Sequence, residues 1–207
     1  MADERRSMPY KKYFGEMPIT ETQKRERTEA AERFQRTFEE VFLLIEEARR
    51  GALQGFDALN VLSTSISMIR DGYIDILPDE MIDTDFASIY VNQFSNEVIR
   101  STYDNIDDPY FLSEDRAMFI AENEANTMYE DADYILALKE GMTRKKWVTM
   151  QDRRVRDTHR EVEGVTIPID EFFQVGNAQM LYPKDVINGG EYPEEIVNCR
   201  CSCIYLP

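Results

Sequence analysis

The residue types that carry chemistry are concentrated between Lys145 and Cys203. The only Trp (Trp147), the only His (His159) and all three Cys (Cys199, Cys201, Cys203) fall in this stretch. Its densest polar run is Asp152-Arg-Arg-Val-Arg-Asp-Thr-His159. On a helix, Asp152, Arg156 and His159 would share one face at i, i+4 and i+7, where a carboxylate can orient the guanidinium and the imidazole. Such a face suits a general base, a metal ligand or a phosphate contact. It equally suits a polar network that locks a turn onto a neighbouring strand, and a single His among ion pairs favours this structural reading. For a hydrolytic, nuclease-like module, the candidates are His159 with Asp152, Asp157 and Arg156.

Cys199-Arg-Cys-Ser-Cys203 is the second cluster, and with His159 it makes a candidate zinc set of His159, Cys199, Cys201 and Cys203. Read as a strand, the run puts three thiols on one face and Arg200 on the other. Alternate strand positions lie about 6.5–7 Å apart at Cα, so shared tetrahedral ligation requires a knuckle. The expectation is therefore of thiols that pack a small module, with no cofactor. The sequence contains no glycine-rich phosphate loop, no HExxH and no serine elbow.

These clusters need elements to position them, and 207 residues suffice to bury a core. An odd cysteine count argues against a disulfide framework and for a reducing compartment. No run approaches the roughly 20 apolar residues of a membrane span, and no basic-then-apolar start suggests a secretory signal. The net charge of −16 is uneven. Residues 71–140 hold 18 acidic and 3 basic side chains, while the segments on either side are near neutral. A solvated acidic face is expected there, facing basic protein surfaces or water rather than DNA.

Along the chain, residues 1–17 mix basic and aromatic side chains without a period and read as a flexible arm. Thr20 and Gln23 form a capping-box pattern, followed by Phe34, Phe38, Val41, Phe42 and Ile45 at helical spacing and a stop at Gly51. The polar first half of this helix is expected to project from the body. A second helix is predicted from about Asp57 to Arg70, ended by Asp71-Gly72. A third is capped by Asp83 or Thr84. A fourth, long one runs from Ser113 to Gly141 with an alanine-rich stripe suited to close packing. After Gly141 the period changes: Trp147–Met150, Val165–Ile169, Phe172–Val175 and Ile196–Tyr205 read as strands, with a loop over residues 175–193. The expectation is an α+β protein with an arm at 1–17, a helical region at 18–141 and a small β-containing module at 142–207.

The ordered set Arg116-Ala117, Ile120-Ala-Glu-Asn-Glu-Ala-Asn126, Gly141, Lys145-Lys-Trp147, Asp152–His159, Gly164, Glu171-Phe172, Tyr182-Pro183 and Asn198-Cys-Arg-Cys201 resembles the Mu-F-like family of phage head morphogenesis proteins. The likeness covers roughly residues 113–204. It carries the family's pattern residues onto Trp147, Asp152, Arg156, Asp157, His159, Asn198, Cys199 and Cys201, without a catalytic role. It implies a minor head protein of the virion, present in few copies near the portal vertex. Such a protein acts in procapsid assembly and in DNA packaging or ejection, and is found in the host cytoplasm while heads form. Portal protein and inner capsid surface are the expected partners, with no membrane. A weaker reading adds packaged DNA, touched by Lys145, Lys146, Arg153 and Arg154. The chain departs from many members in its short N-terminal region and in Cys203.

Overall fold

The computed structural model describes residues 13–51, 58–79 and 86–207. The basic residues before Tyr13 and the expected caps Asp83 and Thr84 lie outside these ranges. Four helices come first: α1 (Glu21–Arg49), α2 (Ala58–Asp75), α3 (Phe86–Asp104) and α4 (Glu114–Lys139), with a 3₁₀ turn at Pro109–Leu112 before α4. The expected α+β architecture is present. Thr20 and Gln23 close the capping box at the start of α1, and the Ser113 side chain accepts from the Arg116 N–H at the start of α4. Gly141, at φ +76°, takes the left-handed turn that lets the chain leave α4.

α1 packs along α4, where Ala117, Ala121 and Ala125 are fully buried and let the two backbones approach closely. Phe34, Phe38, Tyr73 and Phe94 fill the space between α1, α2 and α3 as a cluster of mostly edge-on rings. Phe14 and Met17 are buried in the same core, so residues 13–17 belong to the body rather than to an arm.

Two helix expectations are corrected. The polar half of α1 does not project: Arg27 is fully buried, donating to Asn126, Glu130 and Asp133 of α4, at 2.7 Å for Asp133. Charge pairing replaces the apolar stripe there. The helix stop at Asp71-Gly72 does not occur either, and α2 continues to Asp75. A Cβ at Gly72 would lie 2.8 Å from Thr37 Cγ2, so this glycine serves the close crossing of α2 over α1 rather than a turn.

The acidic middle is likewise only partly a surface. Glu122, Glu124, Glu130 and Asp131 of α4 are all buried. Glu124 accepts from Tyr90, Asp131 from Tyr182 and Glu130 from Arg27 and Ser202. Burial pushes Glu130 up to about 8 in spite of Arg27, and Asp131 up to about 6. Asp133, at 2.7 Å against 3.1 Å for Glu130, is the closer of the two acids to the Arg27 guanidinium.

Beyond α4, β1 (Arg144–Val148) is the centre of an antiparallel sheet, flanked by β2 (Thr166–Pro168) and β5 (Ser202–Leu206). Trp147 stands opposite Cys203 in the β1–β5 register. β3 (Phe173–Val175), expected as a strand, pairs with β4 (Ala178–Met180) in a separate hairpin around Gly176-Asn177, and only β4 lies in the stretch expected to be a loop. Two short helices, α5 (Asp157–Glu161) and α6 (Pro193–Ile196), lie between the strands. Among the described residues, no helix is long and apolar enough to cross a membrane.

Candidate functional site

The single turn of α5 follows the Arg156 cap and points His159 inward, where it is 1% exposed. Its imidazole meets the Trp147 ring edge-on at 5.6 Å between centroids. Nε2 lies 3.1 Å from Glu195 Oε2. Nδ1 lies 3.3 Å from Cys201 Sγ and 3.6 Å from Cys199 Sγ. Three chain segments thus converge on one ring: α5, the first turn of α6 and the turn before β5.

That turn overrides the reading of the thiols as a continuous strand face. β5 begins only at Ser202, so Cys199 and Cys201 precede it. Asn198, at φ +59°, and the Cys199 N–H to Ile196 C=O bond of 3.1 Å curl the chain so that both thiols face His159. Cys203 lies in the strand itself, opposite Trp147 and apart from the other two. The turn is also tied to the body. The Cys199 carbonyl accepts from Tyr13 at 3.0 Å and Asn126 at 3.3 Å, and Asn123 Oδ1 accepts from the Asn198 N–H at 2.9 Å.

The Asp152, Arg156 and His159 helical face is not formed, because α5 starts only at Asp157. Asp152 grips Arg200 with both oxygens, at 2.8 and 3.0 Å, and Arg156 donates to the Val197 carbonyl. Asp157 is exposed and pairs with Arg160 at 2.9 Å. The run therefore locks the α5 turn onto the segment before β5, but through Asp152 and Arg156 acting on separate partners. Of the basic residues, Lys145 is fully buried, donating to the Ile169 carbonyl at 2.7 Å under the Tyr134 and Phe173 rings. It offers nothing to a phosphate. Arg153 and Arg154 are exposed, and Lys146 is half-buried.

Glu195 is the member of this cluster that sequence reasoning missed. It lies 36 residues from His159 in a run of surface-type acids, so spacing carries no signal for it. Thr158 donates to its Oε2 at 2.8 Å. Gly176 packs against the pair: a Cβ there would stand 2.6 Å from Glu195 Oε1 and 3.0 Å from Thr158 Cγ2. The unanticipated β3–β4 hairpin thereby braces the carboxylate. Arg116, part of the ordered set behind the family resemblance, has a partner set that the sequence does not reveal. It is buried where α3 meets α4, donating to Thr102, Ser101 and the Phe111 carbonyl.

Burial raises the Cys199 thiol, but hydrogen bonds with Cys201 and His159 outweigh it and hold Cys199 well below the ordinary thiol value. Burial lowers His159, and the Cys199 thiolate and Glu195 more than reverse it, leaving the imidazole raised. Cys201, sharing its proton with Cys199 in a buried site, is raised. The group is thus a buried array of two cysteines, an imidazole and a carboxyl in mutual contact. Beside it lies a cavity of about 20 Å³, lined by His159, both thiols, Val155, Met150 and Arg156 among others. It has room for about one water molecule.

A family model described as phage Mu protein F like protein matches residues 95–204. The chain belongs to this family. The match covers more than half of the chain, begins within α3 rather than at Ser113, and ends in β5. No curated protein and no solved structure matches the chain. As a Mu-F-like protein it is a phage head morphogenesis protein, from a structural family associated with the phage particle. The matched region joins α4 to the whole β-containing module, so the Mu-F-like unit includes the helix that touches the Cys199 turn through Asn123 and Asn126.

Proposed function

We propose that this Mu-F-like protein is a minor head component, present in few copies at or near the portal vertex, that acts in procapsid assembly and in DNA packaging or ejection. Support comes from the way its pattern residues are used. Trp147, His159, Cys199 and Cys201 are all buried, and the cavity they adjoin admits one water. Residues spent on internal fastening make a rigid module whose outer surfaces do the work. The portal and the inner capsid surface are its partners, engaged by the N-terminal segment and the helical body during assembly in the host cytoplasm. Arg153, Arg154 and Lys146 are the cations left to meet packaged DNA.

Quantitative mass spectrometry of purified procapsids and virions, normalised to the portal protein, tests this. A few copies per portal is the expected result. Absence from both particles overturns the proposal.

A further inference from the structure

Among the described residues, one group brings three metal-ligating atoms together on a common point: His159 Nδ1, Cys199 Sγ and Cys201 Sγ, all within 4.8 Å of one another. We propose that these three residues hold a zinc ion, with a water from the adjoining cavity in the fourth position.

Four observations carry the assignment. The first is distance. A tetrahedral zinc with Zn–S of about 2.3 Å and Zn–N of about 2.0–2.1 Å sets its nitrogen and sulfur ligands about 3.6 Å apart. Nδ1 stands 3.3 and 3.6 Å from the two sulfurs. The second is the far side of the ring. Glu195 accepts from Nε2 at 3.1 Å, which fixes the tautomer that turns a bare Nδ1 toward the thiols; a carboxylate behind a ligating histidine is the usual outer support of zinc.

The third observation is a set of donors aimed at the sulfurs. The Cys201 N–H points at Cys199 Sγ at 3.4 Å. The indole N–H of the fully buried Trp147 is directed at the Cys201 thiol. Both donors suit thiolates, which two zinc-bound cysteines supply. The fourth is the backbone. The left-handed Asn198 and the turn that follows supply the knuckle which an extended Cys-x-Cys pair lacks.

Two thiolates balance the charge of Zn²⁺, and soft sulfur with imidazole selects zinc over magnesium or calcium. The cavity of about 20 Å³ has room for the single water that completes the shell. Cys203 stands outside the group, in β5. The ion would pin α5 to the turn before β5, closing a segment of 40 residues where the core is small.

The test uses the full chain, purified reduced and without chelator, with zinc measured by elemental mass spectrometry. About one equivalent is expected, and less than about a third overturns the proposal. Cys203→Ser keeps the zinc, whereas Cys201→Ser falls below about a third of an equivalent. Equal loss in both variants overturns it. Should Cys201→Ser fail to fold, the wild-type chain loaded with Co²⁺ decides. Intense visible bands of tetrahedral cobalt with thiolate charge transfer are expected, and the weak spectrum of octahedral cobalt overturns the assignment.

Discussion

The helical body and the C-terminal module both bury charge, but they do so against cores of different size. Among the described residues, the body gathers 22 buried apolar side chains, with Phe34, Phe38, Tyr73 and Phe94 at the centre. The module gathers 11, three of them cysteines. In the body, Arg27 and its α4 acids form an electrostatic rivet beside a large apolar core. In the module, the polar group replaces much of the core: the ring of His159 has Trp147 on one edge, thiols at Nδ1 and Glu195 at Nε2. A large core can carry a buried ion pair as a specificity device, whereas a small one depends on its polar contacts for cohesion.

The largest expected effect contrasts the two centres directly. Arg27→Ala strands Glu130 and Asp133 in the α1–α4 interface and costs about 3–5 kcal/mol, while His159→Ala costs about 2 kcal/mol. Urea unfolding of both variants measures this. A larger loss at His159 would show that the small module, not the helical body, sets global stability.

The second prediction concerns pH. Burial raises Glu122 to about 8, with its Oε2 unpartnered, and raises Glu130 to the same value. Each group binds its proton more tightly folded than unfolded, so each contributes stability below its unfolded pKa that is lost as pH rises through the folded one. Asp152 and Glu163 are lowered, held by Arg200 and by Thr149, and their contribution is lost only in acid. Stability should therefore peak near pH 5 and fall toward pH 8. Glu122→Gln should recover on the order of 2 kcal/mol of that fall. Unfolding midpoints at pH 5 and 8 for both chains check it, and an unchanged difference would remove Glu122 as a cause.

The smallest effect tests how tightly the body is built. Gly72→Ala gains helix propensity but drives a Cβ into Thr37, for a net cost of about 1 kcal/mol. Pairing it with Thr37→Ala should restore or exceed wild-type thermal stability, because the collision is then gone. Independent, additive losses would place the Gly72 effect elsewhere.

What could be read from the sequence was local. The capping box at Thr20 and Gln23, the Ser113 cap, the alanine stripe of α4 and the strand at Trp147 depend on residues a few positions apart, and the structure has them all. The Mu-F-like pattern was legible for the same reason, as an ordered set of short motifs. The projecting α1 was misread because helical periodicity registers apolar stripes and is blind to an arginine matched by acids about 100 residues away. The first strand of the β3–β4 hairpin was legible, but the second was missed because its three residues follow Gly176-Asn177, turn residues that read as the start of a loop.

The sequence by itself determined which residues had chemistry to offer and which helices would present them. Only the tertiary structure decided that Asp152 turns to Arg200, that Cys203 parts from its neighbours, and that Glu195 stands behind His159. Those choices rest on one left-handed residue at Asn198 and on contacts spanning tens of residues. Periodicity fixes the direction of a side chain within its own element; the partner it meets is set by how the elements pack.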